Sequence, residues 1–471
     1  MTDELVQMDL TDVAAAIRKK KVSSVEVTQS CLAWIEQVQP KLNCFISIER
    51  DEVLSAARKA DRALAKGHRV GPLHGVPLAH KDMFYRRGKV ATCGSKILRD
   101  TRQDVTATVI ERLNAAGALW LGGLNMGEFY SNPTGDNVHW GRCRNPWHLD
   151  HVTGGSSSGS VAAVAARACY ASLGSDTGGS IRTPAAMCGV AGLKPTNGRV
   201  SRYGTVPHAA SHDCIGPLAR TVRDCARIAR VIAGADPNDP TSSNEPVPDY
   251  EKALRAGVKG VRIGVPINHF YDGVSADVQA CMDASLAVLK SLGARIVRIP
   301  IPDPQYVFSL SVIMTECESS TFHANWMRTR PQDYSEGVRR RFEPGLTIPA
   351  IKYIEAQSER ARLQKEFSHA VFSRVDVVHT PVMPIPVPTI AEIEGKDPAN
   401  LRALIPLFTH NTRLPSFMGL PALTVPAGFS ANGMPVGFQI FSRPFAEELL
   451  LRLGHAYQSV TDWHRRMPFK K

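Results

Sequence analysis

No CxxC pair occurs among the ten cysteines of this 471-residue chain, and no His/Cys cluster has the spacing of a structural zinc site. Thiols scattered through so long a chain read as buried groups of a reducing compartment, not as a disulfide framework. Long apolar runs are missing as well. The best stretch, residues 161–173, is interrupted by Arg167 and followed by glycine, which is too broken to span a membrane. The opening MTDELVQMDL is acidic and has neither the basic nor the apolar region of a secretory signal. Repeats and low-complexity tracts are absent too. Basic residues outnumber acidic ones, 56 to 44, for a net charge of +12. They are dispersed, and the densest runs, residues 18–21 and 339–341, lack interleaved aromatics, which points to a solvated surface and away from nucleic acid. These exclusions leave a cytoplasmic protein with no membrane role.

What is present suits a large globular fold: 43% apolar and 21% charged residues can bury a sizeable core. Apolar residues at helical spacing predict helices over 9–20, 24–38 and 51–66. Residues 71–80 form a glycine- and proline-punctuated, strand-like segment leading into Lys81, and beyond it short apolar runs alternate with helical stretches. Strands are expected at 119–121, 171–173, 261–265, 295–299, 375–379, 423–425 and 436–440, and helices at 106–116, 160–169, 275–291 and from Ala446. Residues 304–356 read as helical and irregular. This alternation predicts an α/β sheet covered by helices on both faces. A single domain over 1–471 is expected, with N-terminal helices at 1–66, a core at about 70–222, and residues 223–471 continuing the sheet and lining the pocket.

The richest chemistry lies in Gly154-Gly-Ser-Ser-Ser-Gly-Ser160 and, after a helix and a strand, Gly174-Ser-Asp-Thr-Gly-Gly-Ser-Ile-Arg182. Flexible turns would explain glycine and serine there. A phosphate cradle is excluded by the lack of GxxxxGK[ST] and of a GxGxxG opening a helix. Residues 155–159 match G-x-S-x-G, but the approach Trp147-His-Leu-Asp-His-Val-Thr is polar, where a nucleophile elbow needs a buried strand.

Taken together, these segments resemble the amidase signature family nearly letter for letter from Gly154 to Ala185. The likeness continues through Gly189-Val-Ala-Gly-Leu-Lys-Pro-Thr196, and upstream through Leu73-His-Gly-Val-Pro-Leu-Ala-His-Lys-Asp82 and Asn125-Met126. It implies a three-layer α/β/α domain with a central mixed β-sheet and no cofactor or metal. It also implies a catalytic relay: Ser180 as nucleophile, Ser156, 24 positions earlier, as bridge after a cis Gly155–Ser156 bond, and Lys81 as base. The chemistry is coherent in its own terms. A serine hydroxyl needs a neighbour to take its proton, and lysine can do so only when burial keeps it neutral. Lys81 follows the apolar Val76-Pro-Leu-Ala79. The backbone amides of Thr177, Gly178, Gly179 and Ser180 suit an oxyanion hole, with Asp176 and Arg182 flanking and pairing to fix the turn.

Members of this family cleave amides, ureides, carbamates and glutamine, so the substrate stays open within that range. Met126, Ile181, Ser157 and Arg341 are candidate substrate contacts by analogy, together with loop 130–137, residues 208–212 and the irregular region 306–341. The hydroxyls of Ser157, Ser158 and Ser175 otherwise bond local backbone. The expected activity is hydrolysis of a non-peptide C–N bond in a small amide-like molecule by a stand-alone enzyme, with a homodimer as the expected assembly. The first alternative is the glutamine-hydrolysing component of a transfer-RNA-dependent amidotransferase. It would need a cation and an acid for the two ends of the amino acid. Residues 339–341 offer the cation, whereas residues 408–413 hold no acid. A second alternative is a silent or transfer-RNA-binding scaffold.

Overall fold

The computed structural model describes residues 2–394 and 406–469. The reading of one unit over 1–471 therefore includes residues 1, 395–405 and 470–471, which lie outside the described ones. The N-terminal region is helical for local reasons. In Ser24–Leu42, Ser23 and Glu26 form a reciprocal capping box, with Glu26 N donating to Ser23 Oγ at 3.1 Å and Ser23 N to Glu26 Oε2 at 2.7 Å.

Eight strands build the main sheet: β4 (Ala171–Asp176), β5 (Ala191–Lys194), β6 (Cys214–Ala219), β7 (Arg262–Pro266), β8 (Arg295–Ile299), β9 (Val377–Pro381), β10 (Ala422–Phe429) and β11 (Pro435–Ser442). Their order is β4-β6-β5-β10-β11-β9-β7-β8. Pairing is antiparallel from β4 to β9 and parallel for β9-β7-β8, so the sheet is mixed. The helix Ala276–Ser291 supplies the crossover that the parallel β7–β8 pair requires.

The expected lysine-bearing strand is present, but in a different place. With β1 (Phe45–Ile48) and β3 (Leu119–Leu124), β2 (Pro77–Lys81) makes a separate three-stranded sheet of order β1-β3-β2. Its link to β4 runs through a side chain, the Leu173 amide donating to His80 Nδ1 at 2.9 Å. The buried ring needs no charge there, and burial pushes its pKa down to about 3.

Between the serine segments runs the wholly buried helix Ser158–Ala165, SGSVAAVA, whose small side chains let it lie deep against its neighbours. A Cβ at Gly159 would come within 2.4 Å of both Asn125 N and Cys44 O, so only glycine fits that contact. Residues 304–356 resolve into the 26-residue helix Pro304–Thr329, the helix Glu336–Phe342 and the start of Ala350–Phe372. No described helix is long and apolar enough to cross a membrane.

Candidate active site

Three elements converge where the two sheets meet. Lys81 ends β2 fully buried, and its Nζ donates to Ser156 Oγ at 2.7 Å and Ser175 Oγ at 2.8 Å. Burial without a direct carboxylate partner pushes the amine down from 10.5 to about 7, with Cys93, Asp176 and Asp213 opposing weakly from a distance. Ser156 follows a cis Gly155–Ser156 peptide, and its carbonyl accepts from Gly127 N at 3.0 Å. Ser180 sits on the turn after β4, half-buried, and its hydroxyl has no hydrogen-bond partner among the described residues. It lines the same cavity as Gly155. Lysine, bridge serine and candidate nucleophile are thus gathered in one region.

The turn carrying Ser180 is held from below. Arg182 donates to Asp176 through Nε and a terminal nitrogen, both at 2.9 Å, and both side chains are fully buried. Burial works to raise the Asp176 carboxyl, but the charge and hydrogen bonds of Arg182 outweigh it and hold the group below its ordinary value. Arg182 also reaches Gln439 Oε1 at 3.0 Å and Ser416 Oγ at 2.7 Å, fastening the turn to β11 and the helix Arg413–Phe417. One expected oxyanion donor is already engaged, since Gly179 N–H donates to Asp176 Oδ1 at 2.8 Å. Gly179 itself has φ +139°, and a Cβ there would lie 2.3 Å from Thr412 Oγ1.

The cavity in front of Ser180 measures about 300 Å³ and is walled by Tyr130, Phe308, Phe342, Glu316, Arg341 and Arg413, among others. Arg341 is the expected pocket cation, anchored by a 2.5 Å donation to Ser131 O. Glu316 lies inside the region 306–341 expected to border the pocket, although nothing singles it out there, and Arg413 is not among the expected contacts. Their side chains form no ion pair or hydrogen bond among the described residues, and Arg413 stacks only on the Phe308 ring, 5.1 Å away. Burial raises the Glu316 carboxyl while both arginines pull it back. Burial and the charge of Arg341 bring Arg413 down to about 10. Only the helix Pro304–Thr329, docked over the pocket, brings the acid opposite the two cations.

Other expected contacts lie elsewhere. Met126, Ser157 and Ile181 are fully buried and do not line the cavity. Ser157 Oγ donates to Ser175 O at 3.4 Å, which serves the local backbone. His208 does face the cavity, neutral because burial pushes it to about 3. His212 bonds the hydroxyls of Ser211 and Ser311. Among the described residues no group of His, Cys, Asp and Glu could hold a metal ion.

Comparison with known proteins extends this picture. The family model described as Amidase matches residues 26–451. The A subunit of glutamyl-tRNA(Gln) amidotransferase from Roseiflexus sp. is 42% identical over 98% of this chain and 98% of its own length. The solved structure of the corresponding subunit from Thermotoga maritima has a TM-score of 0.78 at 33% identity, covering 98% of this chain and 94% of its own. A chain from a protein complex described as revealing the origins of an s-triazine catabolic enzyme has a TM-score of 0.89 at 35% identity, covering 96% of this chain and 98% of its own. These findings overturn two expectations. Relatives of about 40% identity along their whole length are named as one component of an amidotransferase, which argues against a stand-alone hydrolase. That those relatives are named as subunits also argues against a small molecule and a second copy of the chain as the only partners. The objection that residues 408–413 hold no acid also loses its force, because Glu316 lines the cavity from a different element.

Proposed function

Because this chain belongs to the amidase signature family of enzymes acting on non-peptide C–N bonds, we propose that it is the glutamine-hydrolysing component of an amidotransferase. In this reading it releases ammonia for a partner protein that acts on aminoacyl-transfer RNA. One observation carries it: the cavity in front of Ser180 presents Arg341, Arg413 and Glu316 unpaired with one another. An α-amino acid bears a carboxylate and an ammonium on one carbon. Such a head group satisfies the guanidinium and the carboxylate together and leaves the side-chain amide free to reach the serine.

The proposed mechanism follows from the geometry. Above about pH 7 the Lys81 amine is neutral. It takes the Ser156 proton as Ser156 takes that of Ser180, and Ser180 Oγ attacks the amide carbon. The oxyanion draws on the amides of Thr177, Gly178 or Ser180, because that of Gly179 serves Asp176. As the C–N bond breaks, the proton returns from Lys81 through Ser156 to the leaving nitrogen, and ammonia departs from an acyl ester on Ser180. Water, deprotonated along the same path, then attacks the ester, and glutamate and free Ser180 are regenerated.

The test is ammonia release from glutamine by the chain with and without its partner proteins. Glu316→Gln should raise KM for glutamine by roughly ten- to a hundredfold, the cost of one charge-assisted contact. The effect on glutaramate, which lacks the amino group, should be much smaller. Equal losses on both substrates, or no ammonia from glutamine even with the partners present, would reject this reading.

A further inference from the structure

A second cavity, about 180 Å³ in volume, lies on the other side of Tyr130 from the substrate pocket and is lined by Tyr130, Ser175, Arg202, Asp213, Cys214 and Asp239. Ser175 is the second hydroxyl bonded to Lys81, so this space approaches the amine from a side the substrate does not use. Tyr130 alone of the side chains bonded or stacked on Lys81 borders both spaces. Its ring lies 4.9 Å from Lys81 Nζ. Its hydroxyl donates to Val206 O at 2.7 Å and accepts from Cys93 Sγ at 3.1 Å, so the ring is pinned at its far end.

The backbone is fixed with equal care. Phe129 and Tyr130 both take left-handed conformations, φ +41° and +66°, which large aromatic residues adopt only under constraint. The neighbouring Glu128 supplies that constraint. Its buried carboxylate accepts from Ser95 Oγ at 2.8 Å and from Ser335 N at 2.9 Å, and bonds His139 Nε2 at 2.9 Å. The chain thus holds an unfavourable backbone so that an aromatic ring stands between two water-accessible spaces.

We propose that Tyr130 is a positioning residue whose ring walls Lys81 off from the second cavity and keeps the water in that space away from the amine. This rests on Lys81 as the base of the relay, but not on which amide is cleaved. The groups facing Lys81 are the Ser156 and Ser175 hydroxyls, Tyr130 itself, and, farther off, Cys93, Asp176, Asp213 and the neutral His208, which packs on the Tyr130 ring. None of the three acids forms an ion pair with the amine, so exclusion of water is the strongest influence on it. Removing the ring admits water and moves the amine back toward its ordinary basicity. Losing the attraction of the ring for an ammonium works in the opposite direction and is the smaller effect.

The experiment follows the rate at which a fluorophosphonate probe labels Ser180 as a function of pH, which requires no knowledge of the substrate. Tyr130→Asn tolerates the left-handed backbone while deleting the ring, Tyr130→Gly does the same with more freedom, and Tyr130→Phe keeps the ring without its hydroxyl. Relative to the unaltered chain, the midpoint should rise by about one pH unit in the Asn and Gly variants and by far less in Phe. A midpoint that stays put in both ring-deleted variants, with cooperative melting retained, overturns the proposal. Lys81→Ala separates the two layers of argument. If the pH step survives in it, lysine is not the base; if the step disappears there while Tyr130→Asn leaves the midpoint unmoved, it is the wall that fails.

Discussion

At the scale of single residues, two fully buried lysines show how environment divides roles. Lys194 Nζ donates to Pro195 O at 3.0 Å and Leu420 O at 2.8 Å, acceptors that support an ammonium and tie the end of β5 in place. Lys81 has only hydroxyls, which can donate as readily as they accept, so a neutral amine loses little there. The penalty for that neutrality falls on folding. The unfolded chain holds the proton up to about pH 10.5 and the folded chain loses it near 7, so stability rises with pH between these values. A difference of that size corresponds to roughly 5 kcal/mol below pH 7, from which lost hydrogen bonds to two serines subtract about 1 kcal/mol each. Lys81→Met is therefore expected to raise stability in denaturant melts at pH 6 by a few kcal/mol, to lose that advantage by about pH 10, and to abolish turnover. Lower stability at both pH values would show that the lysine is not held at a cost. Lys81, Ser156 and Ser180 were legible because each sits in a contiguous motif. Glu316 was legible only as one position of the region 306–341 and Arg413 not at all, since each stands in an ordinary stretch and acquires meaning only from the other elements around the cavity.

At the scale of elements, the turn between β4 and the helix Arg182–Cys188 concentrates the constraint. Its amides are directed inward by Asp176, and Asp176 is held by an arginine bonded to two further elements. Gly179→Ala places a methyl group 2.3 Å from Thr412 Oγ1 in a conformation that L residues avoid. We expect kcat to fall by about a hundredfold or more, as when an oxyanion donor is displaced, with about 1–3 kcal/mol lost from stability. Steady-state kinetics paired with urea melts would check both numbers, and a variant with near-normal kcat would show that the turn tolerates a shift. The strands that sequence periodicity predicted are those rich in Val, Ile and Leu. It passed over β6, CIGPLA, where glycine and proline mask a fully buried strand, and β5, AGLK, and β1, FISI, which are only four residues long. The missing acid was hidden for a related reason: the helix Pro304–Thr329 has little amphipathic pattern because pocket and core take up different sides of it.

At the scale of the whole molecule, the ten cysteines all remain free thiols, nine of them buried and Cys317 half-buried. Titration with an aromatic disulfide should therefore find no more than one fast-reacting thiol in the native chain and ten after denaturation. More than one fast thiol would mean that the native packing opens readily. The two-sheet architecture was the least legible feature, because residues 77–81 read as one more strand and nothing local says which ladder a strand will join. That partition governs how the protein ages under stress. The amine rides on one sheet and the turn bearing Ser180 follows a strand of the other, with the side chains of His80 and Lys81 making the hydrogen bonds from β2 to β4. A slippage of a bond length along this seam would leave spectroscopic signatures of both sheets intact yet silence the chemistry, so heat should extinguish activity several degrees before circular dichroism registers melting.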